Sequence, residues 1–224
     1  MSIKLEEMSD FFNTRAETYN IVHPAHIDGG MESKNIIASL LPDHTKTIID
    51  FGIGTGLELE KIFSRFPNVE VTGMDISENM LNLLKKTYPD KNVNLNYESY
   101  FNYNFKKLYY DVALSVMALH HYTREVKTNL YKKIYNCINT NGLYIECDYI
   151  ITENDHKKAQ EIENFFFSEY KRLKEEQGIL DDREYHYDTP CTVAKQINML
   201  FDAGFAKAKE VWRKENTVIL MAEK

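Results

Sequence analysis

Apolar residues in the first twenty positions fall at Leu5, Met8, Phe12, Ala16 and Tyr19, at intervals of three and four. That spacing lines one face of a helix and predicts an amphipathic N-terminal helix. A second helix is expected over 31–41, stopping before Pro42, because the residue ahead of a proline is driven out of the helical region. The period then changes. "TIIDF" (47–51) is short, β-branched and bounded by turns, as a buried strand is. Leu59, Ile62, Phe63 and Phe66 return to helical spacing, and "VEVTGMD" (69–75) reads as a second strand. Ser77 is placed to cap a helix whose inner face is Met80, Leu81, Leu84 and Tyr88. "VNLNY" (93–97) alternates like a half-buried strand, and "YDVALSV" (110–116) is more continuously apolar. Val126, Leu130, Ile134 and Ile138 mark a helix; Asn141-Gly142 then turns the chain into the strand "LYIECDYII" (143–151).

Strands alternating with helices imply right-handed crossovers and a mostly parallel, doubly wound α/β sheet. The end of the chain departs from that pattern. A helix over 191–203 stops at Gly204, and "FAKAKEVW" and "TVILMAEK" flank "RKEN". Two strands with so short a connection form a hairpin, so the last strand is expected to run antiparallel. Between 152 and 190 lies a helical insertion striped by Ala159, Ile162, Phe166, Tyr170 and Leu173 and widened by Phe165 and Phe167. It reads as a lid over the ligand-binding edge of the sheet, or as a plain packing helix. The expected organisation is one domain over 1–224, with 1–42 as a helical cover and 152–190 as the lid.

"IIDFGIGTGLELEKI" (48–62) carries the first chemical signal. In open α/β sheets ligands bind beyond the carboxyl ends of the strands. Gly52, Gly54 and Gly56 there let the chain turn tightly and bring backbone amides against a ligand. A tight strand-to-helix turn alone would also use such glycines. The spacing is Gly-x-Gly-x-Gly, and Leu57 stands where a dinucleotide fold places its third glycine. Asp75 ends the second strand 23 residues after Gly52, where a carboxylate can accept both hydroxyls of a ribose. These features point to a nucleoside held by its sugar.

"IIDFGIGTG", "VTGMDIS", "YYDVALSVMALHHY", "NGLYIECD" and "DAGF" resemble, in order, the motifs of class I S-adenosylmethionine-dependent methyltransferases of the bacterial small-molecule type. The resemblance covers 10–224, more weakly in 150–190. It implies a seven-stranded sheet, S-adenosyl-L-methionine as cofactor, and methyl transfer to a small-molecule acceptor by in-line displacement. By the family pattern, Asp50 and the loop Gly52, Ile53, Gly54 and Gly56 hold the methionine part. Asp75 takes the ribose and Ile76 packs on the adenine. Ser99, where the family usually has an acid, and the Tyr100 amide flank the ring, with Glu98 as an alternative to Ser99. Ser115 and Val116 end the fourth strand beside the sulfonium. Arg15 and Tyr19 sit where related enzymes cover the cofactor with an N-terminal helix, an arginine there suiting the methionine carboxylate.

Three histidines are candidates for orienting or deprotonating the acceptor: His121, favoured for the pocket, its neighbour His120, and His186. His23, His26 and His186 form no tight metal-ligand motif, so no metal is expected. Tyr122, Tyr185 and Tyr187 are expected to join Phe165–Phe167 around a small, partly apolar acceptor. A net charge of −7 argues against non-specific nucleic-acid binding and disfavours an RNA substrate. Cys137, Cys147 and Cys191 lie far apart. The N-terminus has no signal-like pattern and no apolar run approaches the roughly 20 residues that span a bilayer. A reducing cytoplasm is the expected location. An NAD-dependent oxidoreductase and a non-catalytic cofactor-binding protein are the rival readings.

Overall fold

The computed structural model describes residues 3–181 and 183–224. Its centre is a seven-stranded sheet in the order β3-β2-β1-β4-β5-β7-β6. The strands are β1 (Thr47–Phe51), β2 (Glu70–Asp75), β3 (Val93–Tyr97), β4 (Tyr110–Val116), β5 (Ile138–Tyr149), β6 (Lys207–Lys214) and β7 (Thr217–Glu223). β1 to β5 pair in parallel, and β7 runs antiparallel to both β5 and β6, as the terminal hairpin predicts. The sequence reverses direction across the sheet between β1 and β4, which opens a crevice beyond their carboxyl ends.

Among the described residues seven α-helices flank the sheet: α1 (Met8–His26), α2 (Gly30–Leu40), α3 (Leu59–Arg65), α4 (Glu78–Thr87), α5 (Arg124–Cys137), α6 (His156–Glu176) and α7 (Val193–Ala203). Alternation along β1 separates two cores. Ile49 and Phe51 pack with Leu130, Ile134 and Leu200 of α5 and α7. Ile48 packs with Ile37, Ile62 and Leu84 of α2, α3 and α4. Covering both faces is what lets the central strands be apolar almost without interruption. Ser77 caps α4 as expected, accepting the Met80 N–H at 3.2 Å.

The structure changes three expectations. α1 begins at Met8, so Leu5 is not helical; Leu5 buries instead with Leu173 and Tyr185. This extended N-terminal segment pairs with the return from the 152–190 insertion: the Met8 N–H donates to Glu184 O (2.8 Å) and the His186 N–H to Glu6 O (2.9 Å). Gln177 extends the pairing, accepting from Leu5 N and donating to Ile3 O. Secondly, Asn141-Gly142 does not end a helix-to-strand turn. β5 starts at Ile138 and bulges there, because Asn141 takes a positive φ (65°) while both flanks still pair with β4. Thirdly, Phe165 and Phe167 on α6 are exposed and do not wall an acceptor pocket; α6 buries only Ala159 and Leu173.

Candidate active site

The turn after β1 lies at the β1/β4 crevice. Gly52 and Gly54 both have positive φ (79° and 53°), a conformation that side chains with a Cβ resist. They differ in what surrounds them. A Cβ on Gly52 would meet Ala118 at 2.7 Å, whereas one on Gly54 would meet nothing within 4 Å and would project into open space. Gly54 is thus bare where a ligand approaches the backbone. Its N–H donates to Asp75 Oδ2 and the Ser77 N–H to Asp75 Oδ1, both at 2.8 Å. Two amides therefore orient the Asp75 carboxylate at the end of β2, and lone pairs remain for further donors. Burial still pushes its pKa up to about 6, against the pull of those hydrogen bonds.

The cleft has two ends. Met8, Phe12, Asp75, Ile76, Met80, Tyr100 and Ala118 line one. Lys34, Ile53, Thr55, Glu58 and Val116 line the other, with Gly52, Gly54, Tyr19 and Met117 common to both. The second end is strongly charged. Asp50 and Glu58 are buried, and neither Asp50 oxygen has a hydrogen-bond partner. Burial raises both carboxyls above their ordinary values, and the charge of Glu58 lifts Asp50 further. Lys34 is only 7% exposed, and its ammonium has a weak 3.8 Å contact with Met31 Sδ. Lys34 and Glu58 line this end together, with Asp50 buried next to Glu58, and a cation and a carboxyl so placed match an amino-acid zwitterion. With Asp75 at the other end, the residues along the cleft fit S-adenosylmethionine.

A larger cavity of about 400 Å³ opens from the same crevice. Phe11, Phe12, His23, His120, His121, Tyr149, His186 and Asp188 are among its walls. Tyr19 and Met117 line this cavity and both ends of the cleft, and His121 lines the cavity and the nucleoside end. Met117 has a φ of +52°, strained for a side-chain-bearing residue, and its N–H is held by Cys147 O at 2.7 Å.

His120 and His121 form a short 3-10 turn after β4. His120 Nδ1 hydrogen-bonds Asp148 at the end of β5, and Asp148 in turn accepts the Leu119 and Tyr149 N–H groups at 2.9 Å. Burial lowers the pKa of His120, but Asp148 outweighs it and the net shift is upward. His121 goes the other way, down to about 3, through burial and the neighbouring His120. His186 stacks on Phe11 with 3.5 Å between ring centres, and its pKa is lowered by burial.

Several expected contacts are absent. Arg15 does not reach the cleft: it pairs with Glu6 at 2.9 Å, lies over the Phe11 ring, and borders the large cavity. Ser99 lies outside the cleft and donates to Glu184 Oε1 at 2.7 Å, while Glu98 is exposed. Tyr100 does line the nucleoside end. Ser115 is buried with its hydroxyl toward Phe51 O, Gly56 is enclosed in its turn, and Asp50 sits behind the loop. Tyr122 lines the nucleoside end, with its hydroxyl on Glu184 at 2.6 Å. Lys34, Glu58, Met117 and Asp188 were not singled out by motif. A lysine within the apolar face of a predicted helix was the one local signal, at Lys34.

Residues 48–142 match the model of a family described as a methyltransferase domain. The chain is 30% identical over 199 residues to a carboxy-S-adenosyl-L-methionine synthase of Nautilia profundicola, covering 85% of this chain and 82% of that protein. Human N-acetylserotonin methyltransferase bound to S-adenosylmethionine superposes with a TM-score of 0.67 at 14% identity, over 96% of this chain and 56% of that one. The complex of DhpI with S-adenosylhomocysteine gives 0.68 at 13% identity, over 95% and 93%. No helix among the described residues is long and apolar enough to cross a membrane. The chain belongs to the class I S-adenosylmethionine-dependent methyltransferases, and S-adenosylmethionine is its cofactor.

Proposed function

We propose that this enzyme methylates a small molecule held in the histidine-lined cavity. One observation carries the reading: Tyr19 and Met117 border the cavity and both ends of the cofactor cleft, so the three spaces meet at one point. When bound, S-adenosylmethionine supplies an electrophilic methyl group on a sulfonium. Asp75 would accept the ribose hydroxyls, Ile76 and Tyr100 would border the adenine, and Lys34 would pair with the methionine carboxylate. Glu58 would face its ammonium, with Asp50 buried behind it. The chain's remaining task is to hold a nucleophile at the junction and keep water out. Positioning of this kind lowers a barrier by roughly 7–11 kcal/mol.

The protonation states narrow the part of each histidine. Asp148 holds His120 Nδ1 and raises its pKa against the pull of burial, which makes His120 an orienting group rather than the acceptor of a substrate proton. His121 stays neutral, but a pKa of about 3 makes it a weak base, suited to donating or accepting a hydrogen bond at the junction. His186 is neutral and half-buried on the cavity wall, which leaves it the better placed proton acceptor.

A second reading comes from the relative named above as a carboxy-S-adenosyl-L-methionine synthase, whose product is the carboxylated cofactor. That product needs a cation beside the former methyl group. Here Arg15 is engaged by Glu6 and His120 by Asp148, with Asp188 close by, and methyl transfer fits this charge pattern better. Incubation with methyl-labelled S-adenosylmethionine, a panel of small acceptors and a panel of small carboxylic and keto acids as carboxyl donors, followed by mass spectrometry, separates the two. Methyl transfer predicts labelled acceptor and S-adenosylhomocysteine. A cofactor heavier by one carbon dioxide, with no labelled acceptor, would replace this reading with the second.

A further inference from the structure

His120, His121 and Asp188 converge on one point of the large cavity, and their ligand atoms lie within 4.8 Å of one another. We propose that this trio is a binding site for a divalent transition-metal ion, with zinc or iron(II) as the fitting class, and that its remaining coordination positions face the acceptor cavity. Two imidazoles and one carboxylate are a donor set suited to these ions rather than to magnesium or calcium, which favour oxygen.

The two distances from Asp188 suit a shared ion. A metal about 2.0–2.2 Å from each ligand holds neighbouring ligand atoms roughly 2.8–3.6 Å apart. Asp188 Oδ1 is 3.0 Å from His121 Nδ1 and 3.6 Å from His120 Nε2. The His121 contact is close but falls short of an aligned hydrogen bond, though it still pulls on the charge of both groups. Despite the 3.0 Å separation the oxygen lies out of line with the ring nitrogen, and His121 Nδ1 is a buried polar atom with no hydrogen-bond partner. The side chain is only 6% exposed. A nitrogen and an oxygen that approach without aligning on each other are arranged for a third atom between them.

The surroundings match as well. His120 Nδ1 is bound to Asp148, and both Asp148 oxygens also accept backbone N–H groups. That fixes the tautomer and ring orientation and leaves Nε2 for the cavity, the arrangement metal-ligating histidines adopt. The same geometry without a metal would be an ion pair between a cationic His120 and two aspartates. The orphaned His121 nitrogen is what that alternative leaves unexplained. The site is supported from separate parts of the fold: the 3-10 turn after β4, the end of β5, and the return from the helical insertion. For catalysis the inference rests on the acceptor reading above, since an ion here would take acceptor oxygens as its open ligands. For binding it does not.

The test is metal content. Tag-free protein is dialysed against Zn²⁺ or Co²⁺ and analysed by mass spectrometry of the metal and by the visible spectrum of the Co²⁺ form. One ion per chain is expected, lost in Asp188→Asn and in His121→Gln, with Asp148→Asn weaker by about 10–100-fold. Asp188 does not line the cofactor cleft, so Asp188→Asn should keep its affinity for S-adenosylhomocysteine, which also reports that it is folded. Wild-type protein that retains no more metal than Asp188→Asn overturns the site. So does metal that is lost in the His23→Gln, His26→Gln double variant and kept in His121→Gln. Methyl transfer at full rate with no metal bound would overturn the metal's catalytic part alone and leave the acceptor reading standing.

Discussion

At the scale of single residues, Asp75 is oriented before any ligand arrives, by the amides of Gly54 and Ser77. Loss of a charge-assisted contact of this kind costs about 1.5–3 kcal/mol, so Asp75→Ala should weaken S-adenosylmethionine binding roughly 10- to 150-fold. The pH dependence has a definite sign. A carboxyl whose folded pKa is raised to about 6 is protonated below that pH, and the acid cannot accept two hydroxyls. Cofactor affinity should therefore fall as pH drops below 6, while the stability of the cofactor-free protein loses this group's contribution as pH rises through 6. Calorimetric titration between pH 5 and 8 reads the first effect; an affinity that is flat across that range would contradict it. Lys34 and Arg15 give a sharper contrast. Lys34→Met should cost at least tenfold in cofactor affinity and Arg15→Ala less than about twofold, because one ammonium is buried in the cleft and the other cation is exposed on Glu6. The reverse order would restore Arg15 as the carboxylate ligand. Asp75 was legible in the sequence because its distance from the glycines is local. Lys34, Glu58 and Asp188 were not, because they reach the site only when α2, the loop beyond Gly56 and the far end of the insertion fold against it. Met117 carries no sequence mark at all, since its part depends on a backbone angle.

At the scale of elements, α1 is the piece that covers the cleft. Asn13 on α1 accepts from Ser77 Oγ (2.8 Å) and from the Asn79 N–H (3.1 Å), and Asn20 accepts from Thr55 Oγ1 (2.5 Å). These polar contacts pin α1 to both sides of the opening, with Phe12 and Tyr19 turned inward between them. Polar clamps in partly exposed positions are cheap to break, which suits an element that must lift to admit a ligand. Hydrogen exchange of residues 8–26 should slow on adding S-adenosylhomocysteine, and by more than residues 207–223 in the terminal hairpin. Equal protection of both would show that α1 does not move. The periodicity of Met8, Phe12, Ala16 and Tyr19 revealed this helix, but not where it starts. Leu5 continues the apolar spacing, yet the backbone there is extended because Gln177 and the 184–186 segment offer it sheet-like partners. The α6 stripe misled in a related way: Phe165 and Phe167 sit at plausible positions, but the helix packs through Ala159 and Leu173.

For the whole molecule, alternation of strands and helices and the terminal hairpin were enough to read a mostly parallel seven-stranded sheet with its last strand reversed. Those features depend on short-range patterns and on the handedness of crossovers. The topology then determines where chemistry can gather, because the connections after the paired strands β1 and β4 leave in opposite directions and open one crevice. Into it the fold brings the glycine turn from one side and the Met117–His121 turn from the other. The central claim is that the cofactor's reactive end meets the acceptor at the Tyr19–Met117 junction. A crystal structure with S-adenosylhomocysteine tests it most directly. Ribose hydroxyls are expected on Asp75, the amino-acid end between Lys34 and Glu58, and the sulfur at Tyr19 and Met117 facing the histidine-lined cavity. A ligand bound with its sulfur directed away from that cavity, or with its amino-acid end on Arg15, would contradict it.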